Sequence, residues 1–282
     1  MIGLVGAGHM GSSLGAVLRR GGHEVATSLA GRSRRTAGLV GEAGITVLPH
    51  LADVLERAEV VLVVTPPGAA RDAARSIAVA ATATGARPLI ADLNATSPAT
   101  VADLVGILAE AGLDLVDGSI SGPPPLVKPG ARIYLSGPRA TEVAALSWRD
   151  VTPIVVAGPA GAASAVKMST ASVYKGLMGL LAQAMASAEH YGVLDTVMAD
   201  LGGEFGTPPD VARAATKAHR YVAEMREIAS AQAAAGLSGS LFEGFAEVYA
   251  AIARSELAAG DPENVSGKLT ATEVARGLRV SD

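Results

Sequence analysis

The chain has 282 residues, 49% of them hydrophobic and 18% charged, with a formal net charge of −4, which is enough length for two domains with ample core. An acidic balance with 3% aromatics argues against nucleic-acid binding, which needs a basic stripe and stacking rings, and the absence of cysteine excludes disulfides, thiolate catalysis and cysteine-ligated metal. No apolar run spans a bilayer, so no membrane partner is expected; a thiol-free chain whose Met1 enters the first strand at once, with no room for a signal peptide, fits the cytoplasm.

Residues 2–5 read as a short apolar strand that runs straight into Gly6-Ala7-Gly8-His9-Met10-Gly11, followed by an amphipathic helix over 10–20. This is the pattern of a phosphate-binding turn. Gly6 permits the tight turn, Gly8 lets backbone N–H groups approach a pyrophosphate, and Gly11 lets the helix pack close on the strand. A second strand is expected at 24–28. Where an NAD site usually places an acid after that strand, this chain has Ser28-Leu29-Ala30-Gly31-Arg32-Ser33-Arg34-Arg35 and none. Arg32, with Ser33 and Arg35 beside it, suits a 2′-phosphate, since a guanidinium makes paired charge-assisted bonds to such a group. NADP is therefore the expected cofactor.

Strands at 45–48, 60–64, 89–92, 113–117, 132–136 and 153–156 alternate with helices at 34–42, 51–58, 69–83 and 97–111. That is the signature of a parallel sheet with crossover helices. Ligands in such sheets lie beyond the carboxyl ends of the strands. Three segments fall there: Thr65-Pro66-Pro67, Asp92-Leu93-Asn94-Ala95-Thr96, and 117–122. Thr65 and Pro66 are expected to line the cofactor channel through their backbone. Asn94 is expected either to bond the nicotinamide ribose or the substrate, or to form an Asx turn before the next helix. Near Gly158 the texture changes: residues 162–191 read as one long helix rich in Ser, Ala, Met and Leu, in which Gly176 and Gly179 leave room for close helix contacts. Helices at 195–201, 209–235 and 241–256 and a polar tail follow. The fold class expected is α/β: a Rossmann-type, doubly wound, mostly parallel sheet followed by an all-helical C-terminal domain joined by a long helix. Residues 1–157 form the NADP-binding domain and 158–282 a helical substrate and dimerisation domain. A helix so apolar must be covered on several faces, by the first domain or by a second subunit, and a homodimer is expected. The five histidines are dispersed, without ligand spacing, and no metal is expected.

These motifs resemble the β-hydroxyacid dehydrogenases, the family of 3-hydroxyisobutyrate and 6-phosphogluconate dehydrogenases, along nearly the whole chain. Residues 6–11 fit the family's Gly-x-Gly-x-Met-Gly cofactor turn, which places Gly6, Gly8, His9, Met10 and Gly11 at the cofactor. Residues 117–122 (Asp-Gly-Ser-Ile-Ser-Gly) fit its substrate motif, and 158–161 (Gly-Pro-Ala-Gly) with Lys167 fit its catalytic Gly-x-x-Gly and Lys. The resemblance implies that Ser121 and Gly122 hold the substrate's polar group and that Lys167 is the acid–base. Asn94–Pro98 and Gly122–Pro124 resemble an uncharacterised bacterial branch. The chain also departs from the family. Ala171 stands where the family has Asn, which speaks against a simple 3-hydroxy acid as substrate, and Pro123 removes one N–H from the substrate loop. Helical spacing offers Thr170, Tyr174 and Lys175 on the Lys167 face, with Tyr174 either a proton donor or a helix-buried aromatic. Lys217 and His219 are the nearest match to a later Lys-containing motif. Three functions are open at this point: an NADPH-linked reductase or dehydrogenase of a carbonyl/alcohol pair, an imine reductase, or a non-catalytic NADP-binding sensor or interaction protein. Asp117 is expected to be structural.

Overall fold

A computed structural model describes residues 1–279. They form two compact units, Met1–Met168 and a second beginning at Ser169. The first is built on eight strands, β1 (Ile2–Val5), β2 (Val25–Ser28), β3 (Thr46–Leu48), β4 (Val60–Val63), β5 (Leu89–Asp92), β6 (Leu115–Ser121), β7 (Ala131–Ser136) and β8 (Val151–Val155), ordered β3-β2-β1-β4-β5-β6-β7-β8. Only the β6–β7 pairing is antiparallel. The order reverses at β1, so the crevice for a ligand opens between β1 and β4.

Side chains along the strands alternate between two cores. Ile2, Leu4 and Leu62 join α1 (His9–Arg20) through Leu14, Val17 and Leu18 on one face. Val5, Val61 and Val63 join α4 (Ala70–Thr84) and α5 (Pro98–Glu110) through Ile77, Val101 and Leu104 on the other. A strand with apolar residues on both sides suits a sheet covered on both faces, and β4 is buried at every position. Helices α2 (Arg34–Glu42) and α3 (Leu51–Arg57) complete the crossovers, and a short α6 (Ala140–Ala144), not anticipated from the sequence, sits between β7 and β8.

Helix α7 (Ala162–His190) runs from the first unit into the second. The sequence places the domain boundary at 157/158, whereas the compact units divide within α7 after Met168. The cause is the tie between the start of α7 and the sheet, described below. The second unit is helical throughout its regular structure: α8 (Leu194–Leu201), α9 (Pro208–Ala215), α10 (Ala218–Ala234), α11 (Ser240–Ile252) and α12 (Ala271–Gly277). Gly176 and Gly179 do leave room for a neighbour: a Cβ on Gly179 would lie 2.9 Å from Phe245 Cδ1 of α11. The single helix expected over 209–235 is two, α9 and α10. Thr216 turns its hydroxyl back onto the Arg213 carbonyl at 2.9 Å, and Lys217 leaves helical geometry at φ −109°, ψ 1°. The expected polar tail contains α12, started by a capping box in which the Thr270 N–H donates to Glu273 Oε2 at 2.7 Å and the Glu273 N–H to Thr270 Oγ1 at 3.3 Å. On α7, Val173, Tyr174 and Leu180 are exposed, Tyr174 at 73%, so Tyr174 is not the helix-buried aromatic that its surroundings in sequence suggest.

Candidate active site

The three glycines of the first turn differ in what surrounds them. Gly6 adopts φ +89°, and a Cβ there would lie 2.2 Å from the Val64 carbonyl oxygen. On Gly11 a Cβ would lie 2.1 Å from the Gly6 oxygen. Both are required by the protein's own packing. Gly8 has an ordinary φ of −68°, and a Cβ there would meet nothing within 4 Å. The fold has no need of a bare backbone at Gly8, but a phosphate approaching the N–H groups does. Gly8 also caps α1 without a side-chain hydrogen bond, and no acid stands in the first turn, so the helix start presents N–H groups and a positive dipole end to an anion. The residues fit a dinucleotide pyrophosphate. His9 is half-buried at this turn, and Met10 packs on the core beneath it.

Beside the turn is a cleft of about 390 Å³ at the carboxyl ends of β1, β2 and β4, lined by Gly6, Ser28, Arg32, Thr65, Pro66 and Ser76 among others. Arg32 is exposed at its rim. Ser33 is the N-cap of α2, its Oγ accepting from the Thr36 N–H at 3.2 Å, so its hydroxyl is engaged in starting that helix.

Asn94 is 2% exposed, and its amide is engaged within the protein. Its Oδ1 accepts the Thr65 N–H at 2.6 Å, and its Nδ2 donates to Thr65 Oγ1 at 3.1 Å and to Asp92 Oδ2 at 2.8 Å. The Asn94 N–H donates to Asp92 Oδ1 at 3.1 Å, which is the Asx geometry that the sequence left open. Burial raises the Asp92 pKa to about 7, helped by the negative field of Asp117 and opposed by the Asn94 hydrogen bonds. Between the unfolded value near 4 and the folded value near 7, the unfolded chain loses the proton and the folded chain keeps it. Stability therefore falls as pH rises through that window, by about 1.4 kcal/mol per pH unit at most. Urea denaturation at pH 5 and pH 8 is expected to show a decrease that shrinks by about 3 kcal/mol in Asp92→Asn. An unchanged difference would remove Asp92 from the account.

Strand β6 extends to Ser121, four residues beyond the strand end expected from the sequence, and carries the substrate motif on the strand itself rather than in a loop after it. Gly118 permits this extension: a Cβ there would lie 2.5 Å from Leu93 Cδ2. Asp117, 1% exposed, has the structural role expected of it. Its Oδ2 accepts the Gly161 N–H at 2.9 Å, the Ser164 N–H at 3.0 Å and Ser136 Oγ at 2.8 Å, and its Oδ1 accepts Ser164 Oγ at 2.6 Å. An acidic side chain thus fixes the first turn of α7 to the sheet. Ser119 Oγ adds a bond to the Ala163 carbonyl at 2.9 Å. One turn further along, half-buried Lys167 donates from Nζ to the Ile120 carbonyl oxygen at 2.8 Å. Lys167 therefore reaches the carboxyl end of β6, where Ser121 and Gly122 follow Ile120. It does not extend into solvent. The loop after Gly122 is held down by the Leu126 N–H donating to Ser13 Oγ of α1 at 2.8 Å, a tie across 113 residues that the sequence does not reveal.

The first unit thus gathers the glycine turn, the Arg32 cleft, the Asn94 network, Ser121, Gly122 and Lys167. The other candidates belong to the second unit. Thr170 and Tyr174 are exposed on α7. Lys175 pairs with buried Glu224 and lies over the Tyr221 ring at 4.6 Å, which makes it part of that unit's packing. Lys217, its pKa lowered chiefly by burial and also by Arg220, stands at the α9–α10 break, and His219 is exposed.

Residues 1–154 match the model of the NAD binding domain of 6-phosphogluconate dehydrogenase, and residues 188–252 match a domain of unknown function, DUF1932. An uncharacterised 28.5 kDa protein of Methanothermus fervidus is 24% identical over 197 residues, covering 70% of this chain and 74% of that protein. Among solved structures, a conserved protein of unknown function, described as structurally similar to 3-hydroxyacid dehydrogenases, is 27% identical with a TM-score of 0.67, covering 89% of this chain and 96% of that one. The 3-hydroxyisobutyrate dehydrogenase of Mycobacterium tuberculosis shares the fold at 19% identity and a TM-score of 0.66, with 99% of each chain covered. With its glycine turn, its sheet order and a family match over more than half its length, the chain belongs to the β-hydroxyacid dehydrogenase family, NAD(P)-dependent oxidoreductases that carry the 6-phosphogluconate dehydrogenase type of NAD-binding domain.

Proposed function

We propose that this chain is an NADP(H)-dependent oxidoreductase that transfers a hydride between NADPH and a small carbonyl or hydroxy-acid-type substrate, with Lys167 as general acid/base. The observation that carries this reading is the Lys167 amine held 2.8 Å from the Ile120 carbonyl, beside Ser121 and Gly122, on a helix whose start is fixed to the same sheet that bears the glycine turn. When bound, the dinucleotide supplies the hydride; the glycine turn and the Arg32 cleft would hold it. The chain itself manages one proton and one developing charge. Reduction builds negative charge on the substrate oxygen, and an ammonium beside that oxygen stabilises the charge and donates the proton. In the reverse direction the neutral amine accepts the alcohol proton. Ser121, with a hydroxyl, and Gly122, with a backbone N–H, would orient the substrate's polar group. The exposed Val173, Tyr174 and Leu180 support assembly as a homodimer through the second unit.

The test is NADPH oxidation with a panel of aldehydes, keto acids and cyclic imines. Turnover of an oxo compound is the expected result; turnover of imines alone, or binding of NADPH without turnover of any member, would overturn the reading. Cofactor choice is tested separately. Arg32→Ala is expected to weaken NADPH binding by about tenfold to a hundredfold, the worth of charge-assisted bonds to a phosphate, and to leave NADH binding within about threefold. Equal losses for both dinucleotides would remove Arg32 as the 2′-phosphate ligand.

A further inference from the structure

The loop after β5, with the helix into which it leads, touches both halves of the site in the first unit. On one side, Asn94 Oδ1 accepts the Thr65 N–H and Asn94 Nδ2 donates to the Thr65 hydroxyl oxygen, and Thr65 and Pro66 line the cofactor cleft. On the other, a Cβ on Gly161, just before α7, would lie 3.4 Å from Cβ of Pro98, the first residue of α5, so the helix into which the loop leads packs against the turn before Lys167. Between these contacts the loop is anchored by Asp92, which receives both the N–H and the Nδ2 of Asn94 and is paired in register with Asp117 on β6. Thr65 follows the end of β4, where no ladder partner is available for its N–H, and the short Asn94 side chain supplies the acceptor from the neighbouring strand's loop.

We propose that Asn94, oriented by Asp92, is a positioning residue that sets the Thr65–Pro66 wall of the cofactor cleft. The inference rests on the dinucleotide reading above and extends it by assigning Asn94 a role through Thr65 rather than as a ligand. Three features support it. The amide uses both its donors and an acceptor inside the protein. It is buried, so it has no surface on which to receive a ribose. And a side chain that accepts from a backbone N–H fixes the orientation of that peptide, where a packing contact would not. Among the described residues, the charged group acting on Asp92 is Asp117 of β6. Asn94→Asp would set a second carboxyl beside Asp92, whose own pKa burial already raises; the two can share one proton at pH 6, and repulsion between them grows as the pair loses that proton with rising pH.

NADPH fluorescence titration at 20 °C is the test, with wild type, Asn94→Ser and Asn94→Asp. Serine is too short to reach the Thr65 N–H. It is expected to weaken NADPH affinity about tenfold and to raise hydrogen exchange at the Thr65 amide, with the protein still folded at 20 °C. Aspartate keeps the accepting oxygen. At pH 6 it should stay within about threefold of wild type, and at pH 8 it should lose affinity while wild type does not. Wild-type affinity in Asn94→Ser overturns the inference and leaves the dinucleotide reading standing. Failure of wild type to bind NADPH or NADH overturns the reading and the inference with it. Should Asn94→Ser not fold, Asn94→Asp decides: affinity equal to wild type at both pH values overturns the inference, and a loss confined to pH 8 supports it.

Discussion

Lys167→Ala is expected to cut turnover of whichever oxo compound the enzyme reduces by about 10²- to 10⁴-fold, the range for loss of a general acid, and to leave NADPH affinity within about threefold. The split follows from position. Lys167 Nζ lies at the end of β6 beside Ser121, while the glycine turn and Arg32 are built from β1, β2 and the segments after them. Lys167→Arg should restore part of the lost rate, because a guanidinium supplies charge to the developing oxyanion without giving up a proton at working pH. Single-turnover kinetics with saturating NADPH separate the chemical step from binding. A Lys167→Ala enzyme within threefold of wild type in that step would leave the amine as no more than a strut against Ile120.

Asp117→Ala is expected to destabilise the first unit by about 3–5 kcal/mol, since several buried donors are left unsatisfied at about 1–3 kcal/mol each and partly re-pair. Four donors lose their acceptor together: two N–H groups at the start of α7 and the hydroxyls of Ser136 and Ser164. Asp117→Asn keeps one accepting oxygen and should lose less. The single tryptophan, Trp148, lies in this unit with its indole N–H on the Val143 carbonyl at 3.0 Å, so urea unfolding followed by its fluorescence reports the right transition. A loss below about 1 kcal/mol would mean that the start of α7 is held by packing alone.

What the sequence makes legible follows from how local each cause is. The glycine turn is readable because its requirements are steric and fall within six residues. The two-faced strands are readable because burial on both sides leaves an unbroken apolar run, as in β4. Helix α12 is not legible: the region reads as a polar tail, and a helix this short, started by Thr270 and Glu273 three residues apart, leaves no apolar periodicity to mark it. The break between α9 and α10 has neither Gly nor Pro at 216–217, so the local composition does not mark the point where the Thr216 hydroxyl bonds the Arg213 carbonyl and Lys217 leaves helical geometry. Asn94, with Asx-turn and ligand roles both open in sequence, acquires a third through Thr65, a partner 29 residues away. For Tyr174 the difficulty is of another kind: an apolar helix announces that it needs covering, and the sequence does not say at which positions the chain leaves it bare.

The tie between Asp117 and the first turn of α7 also fixes an angular phase. Each residue along a helix advances by about 100°, so one inserted or deleted position between Ser164 and Lys167 would swing the amine roughly a quarter-turn away from β6. Chains descended from this one can vary in side-chain identity along that stretch, but the spacing from anchor to amine is a ruler they must keep.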